Sequence, residues 1–219
     1  MPIGTPAGMT SGLALWPVGT SVHAHPVPNV GGVTDNRIFL PRFGAVCGGV
    51  LALSIGVPGA VEAFTGETAA TSLVIGLGTA FGAPAVVAFH GHQAHASGRF
   101  GAFAFAANMI GLGLFTGVAF ALNLVLFFQE PGQVPALTGA VLRVGSLVFV
   151  LGSVLFGVAM VRAKVFPAVP AWGYGIGFAL LAVFAALPDT PLSALLHIAC
   201  AAVLMWLSGA VWRAHRALA

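Results

Sequence analysis

Residues 137–161 read LTGAVLRVGSLVFVLGSVLFGVAMV, a run of 25 residues in which Arg143 is the one charged side chain. A helix rises about 1.5 Å per residue, so this run is long enough to cross the roughly 30 Å hydrocarbon core of a bilayer. A transmembrane strand would alternate polar and apolar residues, and this run is apolar on all sides. The run therefore predicts a transmembrane helix.

Five further runs have the same character. The six predicted transmembrane helices are residues 43–61, 71–89, 100–128, 137–161, 169–187 and 191–212. The composition agrees, because 58% of the 219 residues are hydrophobic and only 6% are charged, whereas a soluble domain carries about 25% charged residues. This composition excludes a soluble enzyme. Nor does the net charge of +3 indicate nucleic-acid binding. We expect an all-α polytopic membrane protein, a bundle of six transmembrane helices.

The charged residues predict its orientation. Seven of the eight basic residues fall on one side of the predicted membrane: Arg37, Arg42, Arg99, Arg162, Lys164, Arg213 and Arg216. The opposite loops contain no Lys or Arg but four of the five acids: Glu62, Glu67, Glu130 and Asp189. Basic residues in short loops stay preferentially in the cytoplasm. Both termini are therefore predicted to be cytoplasmic.

The chain before the first predicted helix differs from the rest. Residues 1–36 are rich in Gly, Pro, Thr and Val and carry no charge before Asp35. They lack the basic start and long apolar core of a signal peptide. We interpret residues 1–36 as a flexible cytoplasmic arm and residues 37–219 as the transmembrane domain. Met9 is an alternative start of translation.

Glycine and proline patterns predict how the helices pack. Four pairs of glycines are spaced by four residues: Gly44 and Gly48, Gly78 and Gly82, Gly113 and Gly117, and Gly173 and Gly177. Small residues at this spacing let helix backbones approach closely in lipid. Pro58 and Pro84 are expected to kink the first and second helices. Cys47 and Cys200 lie at different depths, so no disulfide is expected between them.

The loop after the fourth helix carries a family resemblance. Residues 152–167 read GSVLFGVAMVRAKVFP, residues 170–174 read PAWGY, and residues 205–212 read MWLSGAVW. Most of residues 100–212 resembles a group of small bacterial multi-pass membrane proteins of actinobacterial type, which share an FGxAxxRAxVFP loop and a Trp-rich last helix. The resemblance implies a multi-pass fold in the bacterial inner membrane, and it implies no activity.

Polar residues inside the predicted spans form a candidate ligand site. Asn123, Arg143 and His197 each lie about 7–9 Å from the outer end of their helix, counted at ~1.5 Å per residue. With acids above them, they predict an outward-facing polar pocket, whose candidate ligand-binding residues are Glu62, Asn123, Arg143, Asp189 and His197. The alternative is structural: Arg143 reaches the outer interface and pairs with an acid, and His197 bonds a backbone carbonyl. Asn108 shares the inward face of Asn123, either joining helices or lining a cavity.

A group of histidines on the cytoplasmic side is a weaker candidate. His90, His92 and His95 could supply three nitrogen ligands to zinc, copper or nickel. However, no cysteine or carboxylate lies near them in the sequence, and histidine-rich turns are common at surfaces. A haem would need two axial ligands at matching depth, which His90 and His197 do not provide. We predict no cofactor.

Three function classes stay open. The first is a non-enzymatic membrane module or subunit whose partners are membrane lipids and either further copies of itself or another membrane protein. The second is a binder or transporter of a small molecule or lipid, which uses the polar pocket. The least supported is an enzyme acting on a lipid or isoprenoid, with Glu62, Asp189 and His197 as acid or base. The chain has no P-loop, nucleophile elbow or HExxH motif.

Overall fold

The structure, a computed structural model, describes residues 31–129, 134–185 and 191–216. Its helices are α1 (Gly31–Thr65), α2 (Ala69–Gly78), α3 (Gly82–Leu124), α4 (Ala136–Ala163), α5 (Ala168–Phe184) and α6 (Pro191–Arg216). Two short 3-10 turns follow α2 and α3, at Thr79–Phe81 and Leu126–Phe128. No strand occurs among the described residues, so the prediction of an all-α fold is confirmed.

The surface of the bundle is apolar and part of its interior is polar. Large side chains such as Phe103, Ile110 and Val169 are more than 60% exposed. By contrast, the side chains of Gln93 and Asn108 are almost completely buried. Among the described residues, four segments are long and apolar enough to cross a membrane: Ile38–Thr65, Ala69–Phe128, Ala136–Ala163 and Pro191–Arg216. The protein is therefore a helical membrane protein by length and composition, and α5 is a shorter apolar helix of 17 residues.

The chain reverses its direction at Gly98, inside α3. Gly98 has a φ of 57° and a ψ of −155°, a conformation that side chains larger than glycine's rarely adopt. Residues on the two sides of this point pack against each other: the rings of His90 and Phe105 are stacked with centroids 4.2 Å apart. A Cβ atom at Gly82 would lie 3.3 Å from Leu112. We therefore treat α3 as two antiparallel segments, α3a (residues 82–97) and α3b (residues 99–124).

The largest differences from the predicted helix boundaries lie at two places. Helix α1 begins at Gly31 rather than at residue 43, and residues 33–40 contain no Gly or Pro that would stop it. Residues 31–36 of the predicted arm thus belong to α1, whereas residues 1–30, with the alternative start at Met9, lie outside the described residues. The second predicted helix is interrupted by the turn Thr79–Phe81. Its cause is Pro84, because proline has no N–H to donate to the carbonyl of Ala80.

The helices form a closed ring in the order α1, α6, α5, α4, α3, with α2 between α1 and α3. Glycines make the closest contacts in this ring. A Cβ atom at Gly111 would lie 2.7 Å from the Cα atom of Phe149, and one at Gly152 would lie 2.7 Å from the Cα atom of Asn108. The backbones of α3b and α4 therefore touch, which is how helices pack tightly without a hydrophobic driving force.

Three of the four predicted glycine pairs pack inside the chain. A Cβ atom at the glycines of these pairs would meet atoms of a neighbouring helix within 4 Å: Gly44, Gly48, Gly78, Gly82, Gly173 and Gly177. The exception is the pair Gly113 and Gly117, where an added Cβ would meet nothing within 4 Å. Cys47 and Cys200 are both buried and free, as the sequence predicts.

The loop that carries the family resemblance has a clear structural role. Lys164 adopts a left-handed conformation with a φ of 56° and donates its N–H to the carbonyl of Met160, which ends α4. Phe166 is then buried, with its ring edge-on to Phe89 at 6.2 Å. Pro167 directly precedes α5. The loop thus fixes the turn between α4 and α5 by burying one aromatic ring.

Candidate functional site

A cavity of about 420 Å³ opens where five segments of the chain meet. These segments are the C-terminal part of α1, residues 67–79 around α2, the end of α3b with the turn after it, the end of α5 and the start of α6. Most of the lining side chains are apolar. The polar lining residues are Glu62, Glu67, Thr79, Asn123, Ser193 and His197. A mostly apolar cavity with a few convergent polar groups is the usual form of a small-molecule site.

His197 lies on the seventh residue of α6 and is half-buried. Its Nδ1 atom is 2.8 Å from the carbonyl oxygen of Ser193. Because a carbonyl only accepts, Nδ1 carries the proton and donates, which leaves Nε2 of the neutral ring as an acceptor. The hydrogen bond expected under the structural alternative is therefore present. The ring nevertheless also lines the cavity, so one nitrogen serves the helix and the other is available to a ligand.

Gly59 of α1 is the residue that lets His197 sit this close. A Cβ atom added at Gly59 would lie 3.0 Å from Cγ of His197 and still closer to its Cβ. At this point α1 and α6 therefore pack with no side chain between the backbone of α1 and the imidazole. The position of the ring depends on that glycine.

The two asparagines on α3b have different roles. Asn123 donates its Nδ2 hydrogen to the carbonyl oxygen of Ala119 at 2.9 Å and lines the cavity. Asn108 is fully buried and donates its Nδ2 hydrogen to the hydroxyl oxygen of Tyr174 on α5 at 2.8 Å. The sequence left two roles open for these residues. Asn108 joins two helices, and Asn123 lines a cavity.

Two carboxylates contribute to the cavity. Glu62 is half-buried in the last turn of α1. Glu67 is more exposed, and its Oε1 accepts a hydrogen bond of 2.6 Å from the hydroxyl of Ser72. Thr68 and Thr71 cap the start of α2 reciprocally, which holds the segment carrying Glu67 in place. Glu67 was not among the predicted ligand residues, although it was one of the four acids in the predicted outer loops.

Arg143 does not line the cavity. Its side chain is exposed on α4, and its Nη2 atom lies 3.8 Å from the Cβ position of Gly139, one turn nearer the start of the helix. This is the geometry of a side chain that reaches along its own helix toward the membrane surface. Asp189 and Glu130 lie outside the described residues. The structure thus brings together Glu62, Asn123 and His197 and leaves Arg143 apart from them.

The three histidines His90, His92 and His95 do not converge. His90 stacks on Phe105, while His92 faces the edge of Phe166 at 5.1 Å. His95 is exposed. No group of three potential metal ligands comes together in the part of the chain that the structure describes. The arrangement expected for a metal site at these residues is not formed, because the helix directs each ring to a different neighbour.

The opposite end of the bundle collects basic and aromatic groups. Arg42 donates from Nη2 to the carbonyl oxygen of His215 at 3.1 Å and lies over the ring of Trp212 at 5.7 Å. Arg162 of α4 lies 4.8 Å above the ring of Phe100. One end of the bundle is thus basic, and the cavity end is acidic.

Buried Gln93 was not predicted from the sequence, and its amide has no hydrogen-bond partner among the described residues.

Comparisons of the chain with family models, curated proteins and solved structures found no match. The site is therefore interpreted from its own geometry.

Proposed function

We propose that this protein is a non-enzymatic membrane protein that binds a small molecule in the cavity lined by Glu62, Asn123 and His197. The observation that carries the proposal is their convergence: residues from α1, α3b and α6, far apart in the sequence, line one cavity. Each can hydrogen-bond a ligand, and the surrounding apolar side chains can contact its apolar part. No catalytic motif accompanies them in the sequence.

The proposal includes a topology, in which the chain crosses the membrane six times and both termini are in the cytoplasm. The reversal at Gly98 supports the count, because it divides the 60-residue apolar segment Ala69–Phe128 into two antiparallel parts. The charge distribution supports the orientation, because Arg42 and Arg162 lie at one end and Glu62 and Glu67 at the other. By the positive-inside rule the cavity then opens to the outer side. The resemblance of residues 152–167 supports a bacterial inner membrane.

Native mass spectrometry of the protein extracted with its own lipids tests the binding function. We expect a reproducible extra mass on the wild-type protein, because a ligand held in the cavity should stay bound during gentle extraction. His197→Leu should lose that mass. Arg143→Leu is the matched control and should keep it, since Arg143 lies outside the cavity.

Two results would contradict the proposal. A wild-type protein that carries only bulk lipid would favour the alternative role of a subunit or scaffold. Equal loss of the mass from both variants would place the ligand elsewhere. The unfolding temperatures of both variants must match that of the wild type, so that the loss reports binding and not misfolding.

A further inference from the structure

We propose that the ligand of this cavity is an amphiphilic organic cation, whose positive group binds at the carboxylate of Glu62 and whose apolar body fills the rest of the cavity. This inference rests on the proposed function and names the class of molecule that the same site accepts. It follows from the charge of the cavity, from the nature of its apolar lining and from its size.

The charge of the cavity is negative. Among the residues that the structure describes, Glu62 and Glu67 line it and no Lys or Arg does. Arg143, the only basic residue predicted within the spans, is exposed on α4. An anionic ligand would therefore meet like charge at these two carboxylates, whereas a cation would be attracted to them.

The apolar lining suits the rest of such a molecule. Three phenylalanine rings are among the lining side chains: Phe115, Phe127 and Phe184. Aromatic faces attract organic cations as well as apolar groups, and more strongly where water is excluded. Aliphatic residues such as Leu122 and Leu196 complete the wall. A hydrophilic cation such as a polyamine would leave this wall uncovered.

The size and donor set exclude a bare metal ion as the main occupant. A volume of about 420 Å³ is far larger than the shell of six to eight oxygen ligands at 2.3–2.6 Å that calcium requires. The described residues also contain no group of three carboxylate, histidine or cysteine side chains placed to bind a metal. An organic cation fills the volume and needs one carboxylate.

The two neutral polar groups orient the cationic head. In the neutral imidazole of His197, Nε2 is an acceptor because Nδ1 donates to the carbonyl of Ser193. Asn123 donates one of its two Nδ2 hydrogens to the carbonyl of Ala119, and its Oδ1 can accept a hydrogen from a ligand. A carboxylate, an imidazole nitrogen and an amide oxygen are all acceptors. Together they favour a ligand that donates hydrogen bonds or carries positive charge.

Tetraphenylphosphonium and tetraphenylborate provide a direct test, because they have nearly the same shape and opposite charge. Binding of each is measured by equilibrium dialysis with the purified full-length protein in nanodiscs, against empty nanodiscs. We expect saturable binding of the phosphonium and none of the borate. Glu62→Gln should weaken phosphonium binding at least about tenfold, because it removes the charge partner and keeps the shape.

Asp35→Asn is the matched control for charge. It removes one carboxylate from the same helix, 27 residues away, which is about 40 Å along α1. It should leave phosphonium binding unchanged. Equal weakening by both variants would show a general surface effect of charge and would overturn the proposal.

The remaining outcomes separate the ligand class from the proposed function. Saturable binding of tetraphenylborate, or phosphonium binding that survives Glu62→Gln, overturns the cationic class and leaves the cavity as a binding site. A retained native ligand that is neutral or anionic does the same. If neither ion binds and the native protein also carries no extra mass, the proposed function itself fails.

Discussion

Asn108 of α3b donates a hydrogen bond of 2.8 Å to the hydroxyl of Tyr174 on α5, and both side chains are buried. Tyr174 is the one tyrosine of the chain. Its ring also packs edge-on against Phe156 of α4 at 5.6 Å. This pair therefore ties α3b to α5 across the face of α4.

Loss of the Tyr174 hydroxyl should destabilise the bundle. Tyr174→Phe keeps the ring and leaves the amide of Asn108 as a buried donor without its acceptor, which costs about 1–3 kcal/mol of the free energy of unfolding. Chemical unfolding in mixed micelles measures this difference. In a double-mutant cycle with Asn108→Ala, the two effects should be less than additive. Additivity within about 0.5 kcal/mol would mean that the two side chains are not coupled.

Two glycines of α3b should respond in opposite ways to the same added methyl group. Gly111→Ala places a Cβ 2.7 Å from the Cα atom of Phe149, which is backbone and cannot move aside locally. We expect this variant to lose about 1–3 kcal/mol in the free energy of unfolding. Gly113→Ala meets nothing within 4 Å and should gain up to about 1 kcal/mol from helix propensity. Similar unfolding curves for both variants would contradict the close approach of α3b and α4.

The proposed orientation predicts which loops are reachable from outside the cell. In a background with Cys47 and Cys200 replaced by Ala, Glu67→Cys should react with a membrane-impermeant maleimide on intact cells. Lys164→Cys should react only after the cells are permeabilised. Both positions are exposed, so the difference reports the side of the membrane. The reverse pattern would place the cavity on the cytoplasmic side.

Hydropathy was sufficient to predict the helical membrane fold, since a span must be apolar whatever its neighbours are. The interruption at Thr79–Phe81 follows from Pro84, whose missing N–H is a property of the residue itself. The full length of α1 was not predicted, because polar residues 34–37 do not resemble a span although nothing in them stops a helix.

The candidate site was predicted only in part, and Arg143 shows why. Counting residues gives the depth of a side chain along its helix, and this placed Asn123, Arg143 and His197 at one level. Which way each side chain faces depends on the neighbouring helices. On α4 the buried face contains Gly145, Phe149 and Gly152, so Arg143 faces outward. Asn123 and His197 lie on faces that meet at the cavity.

Substitution of Gly59 tests whether the position of the His197 ring matters to ligand binding. In Gly59→Ala the new Cβ would lie 3.0 Å from Cγ of His197, so the imidazole and the start of α6 must shift. Because His197 lines the cavity and is bonded to Ser193 on the same helix, the shift changes the position of an acceptor and the shape of the wall. We expect phosphonium binding to weaken at least about tenfold.

Gly49→Ala is the control, since it adds the same methyl group to the same helix where nothing lies within 4 Å. It should bind the phosphonium as the wild type does, measured by the same equilibrium dialysis. Circular dichroism should show equal helix content in both variants. If Gly59→Ala binds as well as Gly49→Ala, the position of His197 does not matter to the ligand. The wall of the cavity at His197 would then not contact the phosphonium, which carries no hydrogen-bond donor and therefore reports the shape and charge of the cavity.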